Sequence, residues 1–230
     1  ASGVTLVRDC GVPVDNSGVR DLVGPRLIRC GRHVARPKRY MRGLPRDVED
    51  QRELPGVLVD MVRGSDGWVK IVGDWIDRSG GADSDLMPLW EPAVLRDAVA
   101  AVHEAGARIA VHAFSHRVID SLIEAGVDDI EHGSGIDADQ ASEIAARGIA
   151  VTPTLRQVEL FRHFAAQAGT KYPVYAATMA CPSRWSGIPT THTSSTPAML
   201  MNTCSSTSGW IFNPPESMMV SIRPVTLNTP

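Results

Sequence analysis

Two histidines and a lysine hold the positions in this chain where a metal ion is most readily bound. His112 closes the run A-G-A-R-I-A-V-H (105–112) and His132 closes A-G-V-D-D-I-E-H (125–132), while a third run, R-G-I-A-V-T-P-T (147–154), has no histidine. Gly106, Gly126 and Gly148 recur 20 and 22 residues apart, about one βα unit, each suited to the left-handed position that ends a helix before the next strand. Imidazoles at equivalent ends of neighbouring parallel strands enter one shared space, and the carboxyl ends of such strands are where α/β folds hold ligands. Lys70 lies within W-V-K-I-V, where alternation puts Trp68, Lys70 and Val72 on one face and Val69 and Ile71 on the other. A lysine inside an apolar strand is costly unless it is paired or modified; the bland alternative is a strand-end lysine reaching solvent. Each histidine alone reads equally well as a core residue bonded to backbone. The three residues together, on successive strands, point to a metal site, because neutral imidazole suits zinc-like ions.

The elements that must position these residues follow from the pattern around them. Six strands are predicted: Val4 to Arg8, Arg26 to Cys30, Trp68 to Val72, Arg108 to His112, Val127 to Glu131 and Ile149 to Thr152. Between them, Pro92 to Ala105 places Leu95, Ala98, Val99 and Val102 on one helical face, with Pro92 fitted to a first turn. Val118, Ile119, Leu122 and Ile123 do the same in the next helix, and Asp137 with Gln140 forms a capping box before a third. Strands alternating with crossover helices imply a parallel sheet. Without a nucleotide fingerprint, the α/β pattern fits part of a (β/α)8 TIM barrel, about strands 2 to 7, better than a doubly wound sheet.

Composition sets outer limits. The 230 residues suffice for one sizeable core; a net charge of −3 and a pI near 6.2 give no reason to expect nucleic acid. No long apolar run or signal-peptide core is present, so a membrane partner is not expected. Cys10, Cys30, Cys181 and Cys204 form no C-x-x-C pair, the usage of a cytoplasmic protein with reduced thiols. The chain opens at Ala1 almost directly into a strand and reads as a fragment. Residues 1–179 carry all the charged side chains except Arg184, Glu216 and Arg223, whereas residues 180–230 form a low-order tail rich in Ser, Thr and Pro, expected to stand outside the barrel. Two origins fit that tail: a natural disordered segment, or a change of coding frame near Ala177 to Ala180.

The motifs W-V-K-I, V-H-A-F and I-E-H-G-S-G, in this order and spacing, resemble the central strands of the amidohydrolase superfamily, in particular its imidazolonepropionase-like branch with metal-dependent Xaa-Pro dipeptidases. G-V-T-L-V-R-D-C-G at 3–11 resembles that branch's second barrel strand, and the likeness covers roughly residues 3–179. The resemblance implies that Lys70 is the strand-four lysine, carboxylated to bridge two metals, and that His112 and His132 are the strand-five and strand-six ligands. It implies a divalent metal, zinc in the first instance, and hydrolysis of an amide C–N bond by metal-activated water. The chain also departs from the pattern. Its seven histidines (33, 103, 112, 116, 132, 163, 192) include no H-x-H, and no aspartate follows Asp139, so half of the family's metal-site residues and its general base have no counterpart. The family's small β-sandwich has no counterpart either.

Weaker site candidates lie nearby. His116, after strand five, is a helix-start residue that could touch substrate. The loop Gly31 to Gly43 carries Arg32, Arg36, Lys38, Arg39 and Arg42; it reads as a solvated loop or, through Arg36 and Lys38, as a site for a substrate carboxylate. Arg8 and Asp9 read as an ion pair, and Glu131 as a structural residue that alternates away from His132. Three function classes follow: a hydrolase of dipeptides, N-acyl amino acids or cyclic amides, inactive as this fragment; a non-catalytic relic of the barrel; or a phosphotriesterase- or lactonase-like hydrolase on the same scaffold. The expected partner is a small-molecule or dipeptide substrate, and the intact parent could form a homo-oligomer.

Overall fold

A computed structural model describes residues 3–21 and 23–180. The expected tail, from residue 181 onward, lies outside the described residues. Leu6–Arg8 (β1) and Arg26–Ile28 (β2) are followed by two short strands, Val34–Ala35 (β3) and Arg46–Asp47 (β4), and by helix α1, Leu54–Val62. Trp68–Val72 (β5) leads into an antiparallel hairpin of Asp74–Ile76 (β6) and Leu86–Pro88 (β7). Then come α2 (Pro92–Glu104), β8 (Arg108–Ala113), α3 (His116–Ala125), β9 (Asp129–His132), α4 (Ala138–Arg147), β10 (Ala150–Thr152), α5 (Leu155–Ala168) and α6 (Pro173–Ala180).

The main sheet has six strands in the order β10-β9-β8-β5-β3-β4, and every pairing in it is parallel. One face is apolar: Val69, Ile71, Ile109, Val111 and Ile130 pack against Leu58, Leu95, Val99, Val102, Ile119, Leu122 and Ile123 from the helices. Complete burial of one such aliphatic side chain contributes about 1.5–3 kcal/mol, so this layer sets the spacing of β5, β8 and β9. The helix faces expected around Leu95 and Val118 are the buried ones, and the Asp137–Gln140 capping box forms in both directions. A smaller cluster, Leu86, Phe161, Ala165, Ala176 and Met179, joins the hairpin to α5 and α6.

The sheet differs from the expected one at its early edge. Val4 to Arg8 and Arg26 to Cys30 were expected as barrel strands in line with the others. Instead β1 and β2 pair with each other in a separate two-stranded sheet, and β3 and β4 occupy the edge positions beside β5. Gly31, with φ +68, takes the chain out of the line of β2, and Val34 then pairs with Ile71. Among the described residues the structure is therefore mixed α/β with an open parallel sheet, and no ladder closes it into a barrel.

Candidate functional site

The register across three adjacent strands places the candidate residues. Lys70 pairs with Ala110 and Ala110 with Asp129; two residues further on, Val72 pairs with His112 and His112 with Glu131. Lys70, His112, Asp129 and Glu131 thus share the face opposite the helices. All four are buried, at 1–4 % exposure, and the sheet carries ionisable groups where its other face carries Val and Ile.

Lys70 is paired. Its ammonium donates to Glu131 in a buried ion pair, while Arg8 pairs with Asp129 and lies 3.8 Å from Glu131. Thr152 also donates to Asp129, and Cys10 Sγ reaches Glu131 at 3.5 Å. Burial pulls the Lys70 ammonium below the ordinary lysine range. Arg8 finds its carboxylate on β9 rather than at Asp9, whose side chain instead accepts from Gly11 N, Asn16 Nδ2 and Cys30 N. Glu131 shares the face of Lys70 and His112 rather than turning away.

His112 and His132 meet, their ring centroids 4.7 Å apart. Strict alternation would send His132 to the face opposite Glu131, but its φ of +69 breaks the alternation and brings the ring to the carboxyl pole. Its hydrogen-bond partner, Thr154, is also left-handed, with φ +40, and the Thr154 hydroxyl lies 2.7 Å from His132 Nδ1. Two non-glycine residues in this region, bonded to each other at a strand end, mark a strained and over-determined spot. His112 is enclosed by aromatic rings: Phe114 at 4.3 Å, Tyr40 at 5.5 Å and Trp75 at 5.7 Å. Neither of its ring nitrogens has a hydrogen-bond partner among the described residues. Burial drives His112 well below the ordinary histidine pKa, and burial reinforced by the Lys70 charge takes His132 to about 4. Both rings are therefore neutral at pH 7, the state in which imidazole ligates a metal.

Several residues here were not singled out from the sequence. Asp74 is fully buried, 3.6 Å from His112 Nε2, and burial raises its carboxyl to about 7. It continues the alternation from Lys70 and Val72, a usable signal. His33 stands near the pair, its Nδ1 bonded to Gly11 O and its Nε2 unpartnered among the described residues. Nothing in its local pattern marked it. Among the described residues, no three His, Cys, Asp or Glu side chains converge into a set that could hold a metal.

The weaker candidates scatter. His116 is the exposed first residue of α3, its Nδ1 3.3 Å from Gly135 O. Arg36 donates to the carbonyls of Val48 and Glu49, and Arg39 to Ile76 O and Asp77. Both line a cavity of about 460 Å³ whose apolar wall is Trp75, Met87 and Leu89. Trp75 connects that cavity to His112. Lys38 is exposed and is not part of the lining.

No family profile matches the chain. An uncharacterized protein of Mycobacterium tuberculosis and one of Mycobacterium bovis are each 47 % identical to it over 178 residues, covering 77 % of this chain and 47 % of the relative. The chain thus spans about half the length of the curated relatives it matches. Among solved structures it is similar to a Xaa-Pro dipeptidase with methionine in its active site (TM-score 0.58, 21 % identity, 76 % of this chain and 48 % of that one). It is also similar to an amidohydrolase (TM-score 0.52, 25 % identity, 77 % and 48 %) and to the ochratoxinase of A. niger (TM-score 0.60, 15 % identity, 77 % and 46 %). The neighbours are hydrolases, and what the chain shares with them is a fold. No helix among the described residues is long and apolar enough to cross a membrane.

Proposed function

We propose that the chain carries the metal-binding strands of a hydrolase of the amidohydrolase superfamily, acting on the C–N bond of a dipeptide, an N-acyl amino acid or a cyclic amide. The observation that carries this reading is the pair of neutral imidazoles, His112 buried and His132 half-buried, at the carboxyl ends of β8 and β9, with both nitrogens of His112 unpartnered among the described residues. An orphaned buried nitrogen is costly, and a cation suits the one ring nitrogen that carries the lone pair in the neutral imidazole. His112 and His132 would be this chain's two imidazole donors to one divalent ion, zinc in the first instance, and the remaining ligands would have to come from outside the described residues. The donors do not fit a binuclear centre while Lys70 is an ammonium held by Glu131, since carboxylation would first have to free it. Such an ion, when bound, supplies Lewis acidity and lowers the pKa of water.

The chain's own residues would do the rest. Phe114, Tyr40 and Trp75 exclude water around His112, and Thr154 holds the ring of His132. The cavity beside Trp75 has an apolar wall for a side chain, and Arg36, fixed by two backbone carbonyls, offers positive charge to a substrate carboxylate. The aspartate expected to take the proton from water has no counterpart, so this chain by itself should turn over little; general-base assistance is typically worth about 10²–10⁴-fold in rate. Metal content and hydrolysis of Xaa-Pro and N-acyl substrates, with zinc and bicarbonate, test this on the chain and on the full-length M. tuberculosis relative. The proposal expects metal in both and turnover in the relative. A relative that binds metal but cleaves no amide would overturn the substrate class.

The Lys70–Glu131 pair favours a second reading, in which the ionic cluster on this face is structural and the domain is non-catalytic. A chain that takes up no divalent ion would support it.

A further inference from the structure

Asp74 is a fully buried carboxylate 3.6 Å from His112 Nε2, and the proposed hydrolase gives it no part. It follows Gly73, whose N–H donates to the carbonyl of His112 at 2.8 Å. That approach depends on glycine: a Cβ at position 73 would stand 2.8 Å from the same carbonyl oxygen and 2.8 Å from Val111 Cγ1. The Asp74 carboxylate then accepts from Phe114 N at 3.0 and 3.1 Å and from Ser115 N at 2.5 Å, the two N–H groups just past the end of β8. Residues 73 and 74 thus grip the backbone at the carbonyl of His112 and over the next three residues. The side chain is reached as well, since Oδ1 lies 3.6 Å from His112 Nε2.

We infer that Asp74 is a positioning residue for His112, holding its imidazole in the Nε2–H tautomer by presenting a carboxylate oxygen to that nitrogen. The chemistry allows little else. A carboxylate that already takes two backbone N–H groups is an acceptor, so the nitrogen facing it must be the protonated one. The rings of Phe114, Tyr40 and Trp75 pack around the imidazole. The separation of 3.6 Å is longer than a hydrogen bond, as is common where a constellation tightens only around its ligand. Carboxylates behind ligating histidines fix tautomer and ring orientation, and losing one typically costs about 10–100-fold in metal affinity. Only that last consequence rests on the metal reading; the tautomer does not.

The test uses the metal-free chain labelled with ¹⁵N-histidine. At pH 8.5, above the value of about 7 to which burial raises the Asp74 carboxyl, the ring-nitrogen shifts of His112, assigned by their loss in His112→Gln, should report the Nε2–H tautomer. Asp74→Asn keeps the shape but can turn an amide N–H toward Nε2, so His112 should switch to Nδ1–H while far-UV circular dichroism is unchanged. A general packing role would not move this signature. A wild-type His112 in the Nδ1–H form overturns the inference even if the variant fails to fold, and so does a folded Asp74→Asn with an unchanged tautomer. Zinc titration then separates the two claims. A tautomer switch with affinity reduced about 10-fold or more supports both, whereas a switch in a chain that binds no zinc supports the positioning role and removes the metal reading.

Discussion

Replacing Glu131 by Gln should expose how tightly Lys70 is bound into the sheet. Both side chains are 4 % exposed, and Arg8 is engaged with Asp129, so the substitution leaves a buried ammonium without its counter-ion. Breaking a buried pair from one side typically costs about 3–5 kcal/mol. A second route to the figure is to let Lys70 lose its proton: holding a lysine of unfolded pKa about 10.4 neutral at pH 7.5 costs about 4 kcal/mol. The two estimates agree, and the second adds a signature. The folded-state pKa is depressed, so the penalty is largest well below pH 10 and disappears as pH rises toward the unfolded value. Urea denaturation followed by tryptophan fluorescence should show Glu131→Gln destabilised by about 4 kcal/mol at pH 7.5 and by only about 1 kcal/mol at pH 9.5. The double variant Lys70→Met with Glu131→Leu should recover most of the loss. A Glu131→Gln penalty under about 1 kcal/mol, flat with pH, would place Lys70 in contact with water and refute the reasoning.

Three further outcomes follow. His132, with a folded pKa of about 4, holds its neutral form against an unfolded value of 6.5; native protein binds fewer protons in that window, so stability of about 3 kcal/mol is lost as pH falls from 6.5 toward 4. Urea titrations of wild type and His132→Asn should show a flatter acid limb in the variant, and parallel limbs would remove the claim. Gly73→Ala should cost about 1–3 kcal/mol, because its methyl meets the His112 carbonyl oxygen and Val111 at 2.8 Å; a neutral result in thermal melts would show that β5 and β8 separate more easily than their contact implies. Burial pushes the Cys30 thiol up to about 12 while Cys10 is exposed. Iodoacetamide with peptide mass spectrometry should therefore find Cys10 labelled in native protein and Cys30 only after unfolding, and equal native labelling would contradict that burial.

Much of this site was legible because its strands are bounded by strong local signals. The Trp68 to Val72 strand is an apolar run between Gly67 and Gly73, and β8 emerges one residue past its predicted end. Gly106, Gly126 and Gly148 take the left-handed conformation their spacing suggested, with φ of 74°, 75° and 70°. The failures have a different origin. Two-residue strands such as Val34–Ala35 are too short for any period, and they exist because a neighbouring strand offers a partner. Arg8 chose Asp129, 121 residues away, over its neighbour Asp9, a choice no local pattern contains. Strict alternation back from His132 turns Glu131 away from the site, but the left-handed turn at His132 itself interrupts that alternation.

A cobalt titration of the metal-free chain tests most directly whether His112 and His132 hold a divalent ion together. Isothermal calorimetry alongside the visible absorption spectrum should show one ion per chain in wild type, with binding weakened by at least about 10-fold in His112→Gln and in His132→Gln alike. Binding left intact by either substitution, or no binding in wild type, would contradict a shared ion.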